Sequence, residues 1–256
     1  TQPNRADLAT YLDMIFGYCD AGDENALYCI ALRGLGEKGT DGEGGFRDVH
    51  IEMPIRSSFD IDRIFGHVQR WSQHGRASFI VPAAVSPAAL SDPHATEDRI
   101  MAFTTIVVDI DKGNTDEKLA HAVKHIGQPS MVVHSGGTTE TGHNKIHVYW
   151  RLSEASTEVE RISAARKTLA LKIGGDAAFG RSTQVIRLPG SVYNKNNAAR
   201  PCRIDRANMA EYELDELIQA IENMPVCEGV EVDPAKVAPS LPIVSAAGLN
   251  FSGFKA

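Results

Sequence analysis

The chain has 256 residues, of which 43% are hydrophobic and 23% charged, and its formal net charge is −7. This length and composition are typical of a globular protein with a sizeable core, and the negative charge argues against a surface built wholly for nucleic acid. No apolar run reaches the roughly 18 residues of a membrane span and the first residues do not resemble a signal peptide, so we expect a cytoplasmic protein with no membrane partner.

The first hundred residues alternate helical and extended patterns. Leu8, Leu12 and Ile15 recur on one side of an amphipathic helix predicted over Asn4–Cys19. The other elements predicted here are a strand over Ala26–Leu32, a glycine-rich loop over Gly34–Gly45, a helix over Asp60–Gln73 capped by Asp60, a strand over Ala77–Pro82 and an irregular segment over Val81–Glu97. The loop has the order K-G-T instead of the G-K-[ST] of a phosphate-binding loop, which favours a surface loop over one that folds onto a ligand.

The pattern after residue 103 is that of a single sheet with two long helices. Its predicted elements are a strand over Thr104–Ile110, a helix over Asp116–Ile126, strands over Ser130–His134 and Ile146–Leu152, a helix over Ser156–Ile173, a strand over Gln184–Leu188 and a last helix over Glu213–Met224. The order β-α-β-β-α-β is typical of RNA-recognition-like sheets, which are antiparallel, with helices on one face and the other face free for a site. We therefore predict an α+β fold in which this catalytic sheet is fused to an N-terminal α/β unit.

We expect one catalytic domain over residues 1–225 and a proline- and glycine-punctuated tail or linker over residues 226–256. Within the domain, the N-terminal unit spans about residues 1–100, the RNA-recognition-like unit about residues 101–206 and the trailing helix about residues 213–224. Four cysteines form no CxxC pair and no cluster with zinc spacing, which argues against structural zinc: Cys19, Cys29, Cys202 and Cys227.

Two aspartates close the strand over Thr104–Ile110. Alternate strand residues point to the same face, so Asp109 and Asp111 project together while Ile110 faces the core. Carboxylates this close repel each other unless a cation lies between them, and hard oxygen ligands favour Mg²⁺ or Mn²⁺. The pair predicts a metal site, and taken alone it leaves open a strand end with two solvated acids.

The next two strands place polar groups around a glycine turn. Ser135 precedes Gly136 and Gly137, and Lys145 and His147 share one face of the following strand. A serine at such a turn offers its hydroxyl and backbone N–H groups to a phosphate, and a neighbouring histidine can donate to the same oxyanion. For His147 the alternative is a core or cross-strand histidine with satisfied nitrogens.

A basic segment follows the second long helix. Asp176 lies in a glycine turn, Arg187 in the last predicted strand, and Asn194 and Lys195 beyond a Pro-Gly turn. Between Arg181 and Arg206, one acid, Asp205, stands against six basic residues: Arg181, Arg187, Lys195, Arg200, Arg203 and Arg206. Such a patch beside carboxylates suits a polyphosphate or a nucleic-acid backbone, while a solvated loop is the alternative for the last three arginines.

Taken together, these three segments resemble the catalytic core of archaeo-eukaryotic-type primases, the primase-polymerases, in the branch carried by plasmids and phages. The matching features, from about Arg76 to Arg206, are Asp109 with Asp111, Ser135 through His147, Asp176, and Arg187-Leu188-Pro189-Gly190 with Asn194 and Lys195. One feature departs from the family, because the spacing from Ser135 to His147 is long. Either Thr138 to Asn144 is an inserted hairpin tip, or Lys145 takes the polar position two before the histidine.

The resemblance implies DNA-templated nucleotidyl transfer that makes primers for a plasmid, phage or other mobile element. It implies two metal ions, Mg²⁺ or Mn²⁺, held by Asp109, Asp111 and Asp176 as the catalytic carboxylates. The nucleotide would be bound by Ser135, Lys145, His147, Arg187, Asn194 and Lys195. The expected partners are a single-stranded DNA template, NTP or dNTP substrates and a replicative helicase.

Three other functions are compatible with parts of the pattern. A rolling-circle or relaxase-type nicking enzyme would use His143 and His147 as metal ligands and Tyr193 as the nucleophile, although a His-x-His pair is missing. A nucleotide cyclase would use Gly174-Gly175-Asp176, although no acid follows. A non-catalytic nucleic-acid-binding module would need no metal.

Overall fold

The computed structural model describes residues 1–19, 28–35, 49–54, 61–87, 95–195 and 198–231. The described elements before residue 100 are α1 (Arg5–Phe16), β1 (Cys29–Leu35), β2 (Val49–Pro54), α2 (Ile61–Gln73), β3 (Ala77–Ile80) and β4 (Ala84–Val85). Those that follow are β5 (Ile100–Ile110), α3 (Thr115–Ile126), β6 (Met131–Thr138), β7 (Asn144–Ser156), α4 (Val159–Ile173), β8 (Ile186–Arg187), β9 (Val192–Lys195), β10 (Ala198–Pro201), β11 (Arg203–Ala207), β12 (Glu211–Tyr212) and α5 (Leu214–Asn223). No helix in these ranges is long and apolar enough to cross a membrane.

One mixed sheet runs through the whole domain, in the order β11-β6-β7-β5-β4-β1-β3-β8. All neighbours along this path are antiparallel, β2 pairs with β1, β12 pairs with β7 in parallel, and β9 and β10 form a separate hairpin. The chain order β5-α3-β6-β7-α4-β8 confirms the predicted β-α-β-β-α-β sequence of elements and the α+β fold.

Two hydrophobic cores lie on opposite faces of this sheet. On one face, Ile106, Val108 and Trp150 pack with buried residues of α3, α4 and α5. On the other face, Val107 and Tyr149 pack with the apolar side of α1. The expectation that this second face is free is therefore wrong over most of its length, because an amphipathic helix such as α1 must bury its apolar stripe and does so here.

The last strand of the predicted sheet joins the other half of the molecule. β8 pairs with β3, through Phe79↔Arg187, and does not lie beside β5. The neighbour of β5 is instead β4, through Ala84↔Ala102, inside the segment predicted to be irregular. As a result, Arg187 is positioned by its pairing with β3, a strand from the N-terminal part of the chain.

Several boundaries also differ from the predictions. Gly34 belongs to β1, and a Cβ on it would lie 2.7 Å from the ring of Trp71, so close packing accounts for this glycine. Leu35 also belongs to β1, and the rest of the predicted loop, residues 36–45, lies outside the described residues, as does the proposed Asp60 cap. At the start of the predicted tail, the backbone N–H of Cys227 donates to the Lys172 carbonyl over 2.8 Å, so this part packs on α4.

Candidate active site

The acidic pair lies at the end of β5, as predicted. Asp109 is opposite His147 on β7, and its side chain keeps 25% of its surface exposed. Ile110, the next residue, is fully buried in the helix-side core. Asp111 follows the strand with 34% of its side chain exposed. The site is therefore a small polar region where the second face of the sheet is not covered by the core around α1.

Asp176 is held against the same strand end through the backbone. Its N–H donates to the carbonyl of Asp109 over 2.9 Å. Gly175 makes this approach possible, because a Cβ there would lie 2.7 Å from the Asp109 carbonyl oxygen and 2.9 Å from Cγ2 of Val108. One carboxylate oxygen of Asp176 accepts the N–H of Ala178 over 2.9 Å and caps a short 3₁₀ helix, Ala177–Gly180. The structure thus brings the segment of the third predicted aspartate to the end of β5, where its charge acts on Asp109.

The pKa of Asp109 is shifted by the negative charges around it. Burial, together with the nearby carboxylates of Asp111 and Asp176, raises the pKa of Asp109 to about 7. Arg187 and Lys145 act in the opposite direction and lower this pKa. A cation bound here would offset the repulsion between the three carboxylates and favour the ionised form of Asp109.

The donor set fits a hard divalent cation in its chemistry, since all three groups are carboxylates. As they stand, no three His, Cys, Asp or Glu side chains among the described residues surround a common metal position. The four cysteines are buried and form no disulfide.

Lys145 lies beside Asp111, with its Nζ 3.5 Å from Oδ2 of Asp111. The pairing of β6 with β7 shifts between His134 and Thr138, so Ser135, Gly136 and Gly137 bulge opposite Lys145. Gly137 leaves room for the lysine, because a Cβ there would lie 2.9 Å from Cδ of Lys145. Ser135 and Lys145, which the sequence offered as alternatives, thus lie next to each other.

His147 is buried behind Asp109. Its Nε2 lies 3.9 Å from Oδ1 of Asp109, and its Nδ1 is buried with no hydrogen-bond partner among the described residues. Burial, and to a lesser extent Arg187, lowers the pKa of His147 to about 3. The imidazole is therefore neutral at physiological pH, and the alternative of a cross-strand histidine with both nitrogens satisfied does not describe it.

Arg187 contacts residues of two strands, Ser135 on β6 and Phe79 on β3. Its Nη1 donates to the carbonyl of Ser135 over 2.7 Å, and its guanidinium lies 5.4 Å from the ring centroid of Phe79. The turn that ends the Arg-Leu-Pro-Gly motif requires a glycine. Gly190 adopts φ +83°, and a Cβ there would lie 2.3 Å from the Asn4 carbonyl oxygen. The glycine of this motif therefore docks the segment on the start of α1.

The remaining basic residues are spread over a wider surface. Asn194 and Lys195 lie in β9, paired with β10, and their side chains lie outside the described part of the structure. Arg200 and Arg206 are exposed, and Arg203 contacts Nδ1 of His134 over 2.9 Å. Of the six basic residues in the segment, Arg187 has a charge that acts on Asp109 and lowers its pKa.

The loop after Asp111 is held by residues that the sequence did not single out. Glu140 accepts the Gly113 N–H over 2.7 Å, and Thr141 donates to the Gly113 carbonyl over 2.8 Å. Lys118 donates to the Lys112 carbonyl on the same loop. Thr138 and Asn144 pair, so the residues between them form the tip of the β6–β7 hairpin. No spacing rule links such residues to the aspartates, and only the folded hairpin shows the connection.

The residues of the rival functions lie elsewhere or have other roles. His143 is at the hairpin tip, with Nε2 4.0 Å from Asp116, and is separated from the buried His147. The side chain of Tyr193 lies outside the described residues. Gly174 ends α4 with φ +63°, so the two glycines before Asp176 are explained by a helix end and a close approach.

Comparisons with known proteins find solved structures that share this fold. No protein-family model and no curated protein matches the sequence. The AEP domain of the cyanophage S-2L primase-polymerase matches in structure with a TM-score of 0.61 and 16% identity, over 86% of this chain and 100% of that one. The primase RepB′ matches with a TM-score of 0.53 and 13% sequence identity, over 84% of this chain and 61% of that one. The catalytic domain of RepB′ in complex with initiator DNA matches with a TM-score of 0.52 and 15% sequence identity, over 84% of this chain and 92% of that one.

The chain therefore has the fold of the archaeo-eukaryotic-type primases found in phages and plasmids. This confirms, at the level of the fold, the resemblance that the three sequence segments carry. Two of the matching structures are described as primases and one as a primase-polymerase.

Proposed function

We propose that this protein is a DNA-templated nucleotidyltransferase that synthesises primers in the replication of a plasmid, phage or other mobile element. The observation that carries the proposal is the meeting of Asp109, Asp111 and Asp176 at one strand end, with burial and mutual repulsion raising the pKa of Asp109 to about 7. The fold shared with a primase-polymerase and with primase RepB′ supports the same function.

Asp109, Asp111 and Asp176 would hold two divalent cations, Mg²⁺ or Mn²⁺, in this mechanism. When bound, such ions lower the charge on the transferred phosphate and activate the attacking 3′-hydroxyl. The protein's own part is to bring Asp109 to its ionised form, which Arg187 and Lys145 favour by lowering its pKa. The end of β5 and the Asp176 turn are joined by the Asp176 N–H to Asp109 carbonyl hydrogen bond, which suits a reaction that depends on positioning.

The nucleotide triphosphate would lie beside the carboxylates, against Ser135, Lys145, His147, Arg187, Asn194 and Lys195. Arg187 is held by the Ser135 carbonyl, and its planar guanidinium suits bidentate contact with phosphate oxygens. His147 is neutral, so it would donate one hydrogen bond to a phosphate oxygen and would not contribute charge.

A single-stranded DNA template is the partner that this reaction requires. One of the matching structures is a primase domain in complex with initiator DNA. On this chain the exposed Arg200, Arg203 and Arg206, on β10 and β11, suit contact with a DNA backbone. A replicative helicase as a further partner and a cytoplasmic setting complete the proposal.

Primer synthesis on single-stranded DNA tests the function directly. The protein is incubated with labelled NTPs or dNTPs and with Mg²⁺ or Mn²⁺, and products are separated on a gel. Asp109→Ala should abolish product while circular dichroism and DNA binding stay unchanged. Asp98→Ala, an exposed aspartate just before the other end of β5, should retain full activity. Product formation by Asp109→Ala at the wild-type rate would contradict the proposal.

A further inference from the structure

A lysine on α3 connects the two segments that carry the carboxylates. The Nζ atom of Lys118 donates to the Lys112 carbonyl over 2.9 Å and to the Gly174 carbonyl over 2.8 Å. Lys112 follows Asp111 directly, and Gly174 lies two residues before Asp176. One ammonium group therefore joins the loop after β5 to the turn after α4.

The chemistry of the two carbonyls explains why a lysine suits this place. Gly174 ends α4, and the last carbonyls of a helix have no partner within it and carry the negative end of the helix dipole. An ammonium group with several donors can satisfy carbonyls from two segments at once. The fit is close, because a Cβ on Gly174 would lie 3.0 Å from Nζ of Lys118.

The two other aspartates do not need this connection, whereas Asp111 does. Asp109 and Asp176 are already joined by a backbone hydrogen bond of 2.9 Å. Asp111 lies beyond the last paired residue of β5, Ile110, so its position depends on how the following loop is held. Glu140 and Thr141 hold this loop to the β6–β7 hairpin, and Lys118 ties it to the segment of Asp176.

We propose that Lys118 is a positioning residue that sets the separation between Asp111 and Asp176 and thereby the affinity of the site for a divalent cation. The inference rests on the proposed function, which assigns the cation to these carboxylates. Lys118 itself contacts carbonyl groups and is not assigned to the cation or the nucleotide. Groups that orient metal ligands from behind typically change metal affinity by about 10- to 100-fold when they are removed.

Lys172 provides a matched control within the same chain. Its Nζ donates to the carbonyls of Ile221, Glu222 and Met224, which end α5, over 3.1, 2.5 and 2.8 Å. It therefore makes the same kind of contact as Lys118, between a helix and a neighbouring segment, but it joins α4 to α5. Its loss should affect stability alone.

The test compares Lys118→Met with Lys172→Met by titrating Mn²⁺ into the full chain, with electron paramagnetic resonance to count free Mn²⁺. The Kd for Mn²⁺ should rise by about tenfold or more in Lys118→Met and stay within twofold of wild type in Lys172→Met. The Tm of both variants is measured alongside. Lys118→Arg, which keeps charge and donors, should recover part of the affinity and serves as the folded variant if Lys118→Met does not fold.

The outcomes separate this inference from the proposed function. A Kd unchanged in Lys118→Met, or a Kd that rises as much in Lys172→Met, would overturn the positioning role even if the wild type makes primers. A tenfold rise specific to Lys118→Met would support it, and if the wild type then made no product, the proposed function would fail by itself. A wild-type protein that binds no Mn²⁺ would overturn both.

Discussion

At the residue scale, the raised pKa of Asp109 makes stability depend on pH in a defined direction. The folded state holds a proton up to about pH 7, whereas the unfolded carboxyl loses it near its ordinary value of 3.8. Between these values the folded state binds more protons, so this group's contribution to stability is present below pH 3.8 and is lost as pH rises through about 7.

Asp109→Asn should remove this loss. In EDTA, the difference in Tm between the variant and the wild type should increase from pH 4 to pH 7 and then level off. Each kcal/mol of stability that the wild type loses and the variant keeps should correspond to about 2–4 °C. Differential scanning calorimetry measures it, with Asp98→Asn as the exposed control. Added Mn²⁺ should raise the Tm of the wild type and not that of Asp109→Asn. A Tm difference that does not change with pH would contradict the assignment of the shift to Asp109.

His147 leads to a prediction about substrate binding. A hydrogen bond to a charged group contributes about 1.5–3 kcal/mol, so His147→Ala should raise the nucleotide KM by about tenfold or more with a smaller change in kcat. Because the pKa of His147 is lowered to about 3, the imidazole does not change its charge between pH 5 and 8, and the ratio of the KM of His147→Ala to that of the wild type should stay constant over this range. Steady-state kinetics test both points, with the exposed His74→Ala as control. An unaltered KM would remove His147 from the nucleotide site.

At the element scale, the turn between α4 and the short helix decides where Asp176 lies. Gly175→Ala should push this turn away from β5, since its Cβ would meet the Asp109 carbonyl oxygen at 2.7 Å. We expect loss of most primer synthesis and a weaker Mn²⁺ affinity. Gly66→Ala in α2, where an added Cβ meets nothing within 4 Å, should keep activity and be neutral or slightly stabilising. Equal activity of the two variants would show that the turn tolerates movement.

The elements also show how far sequence patterns reach. The β-branched run at Ile106, Val107 and Val108 has the alternation of a strand, and the two faces of β5 follow it. The meeting of Asp109 with Asp176 depends on a turn that folds back across the sheet, and no periodicity encodes that. The sequence suggested it only through resemblance to a family. Lys118 was missed for the same reason, because its partners are backbone carbonyls and leave no residue pattern.

At the scale of the whole molecule, the pairing of strands could not be predicted from local patterns. β4 and β8 have two residues each, so periodicity cannot assign them a neighbour. The amphipathic pattern of α1 predicts that it covers something apolar, but it does not say which face of which sheet. The structure shows that α1 covers Val107 and Tyr149, next to the site.

This arrangement predicts that the RNA-recognition-like unit does not fold alone. A fragment over residues 95–231 would expose a large apolar face that α1 now covers, and exposed apolar patches of this kind lead to association or unfolding. The face consists of Ala102, Val107, Met131, Val133 and Tyr149, which are at most 2% exposed in the whole chain. Restoring residues 1–94 on the same polypeptide should give a cooperative transition, because both cores then close on one sheet.

Circular dichroism, dye binding and thermal unfolding of the fragment and the full chain measure the difference. We expect the fragment to bind the hydrophobic dye ANS and to lack a sharp unfolding transition, while the full chain shows one transition. A matched control fragment over residues 1–231 should behave as the full chain. A fragment over residues 95–231 that unfolds cooperatively and binds Mn²⁺ like the full chain would mean that α1 is an accessory cover, and the carboxylate site would then belong to the RNA-recognition-like unit alone.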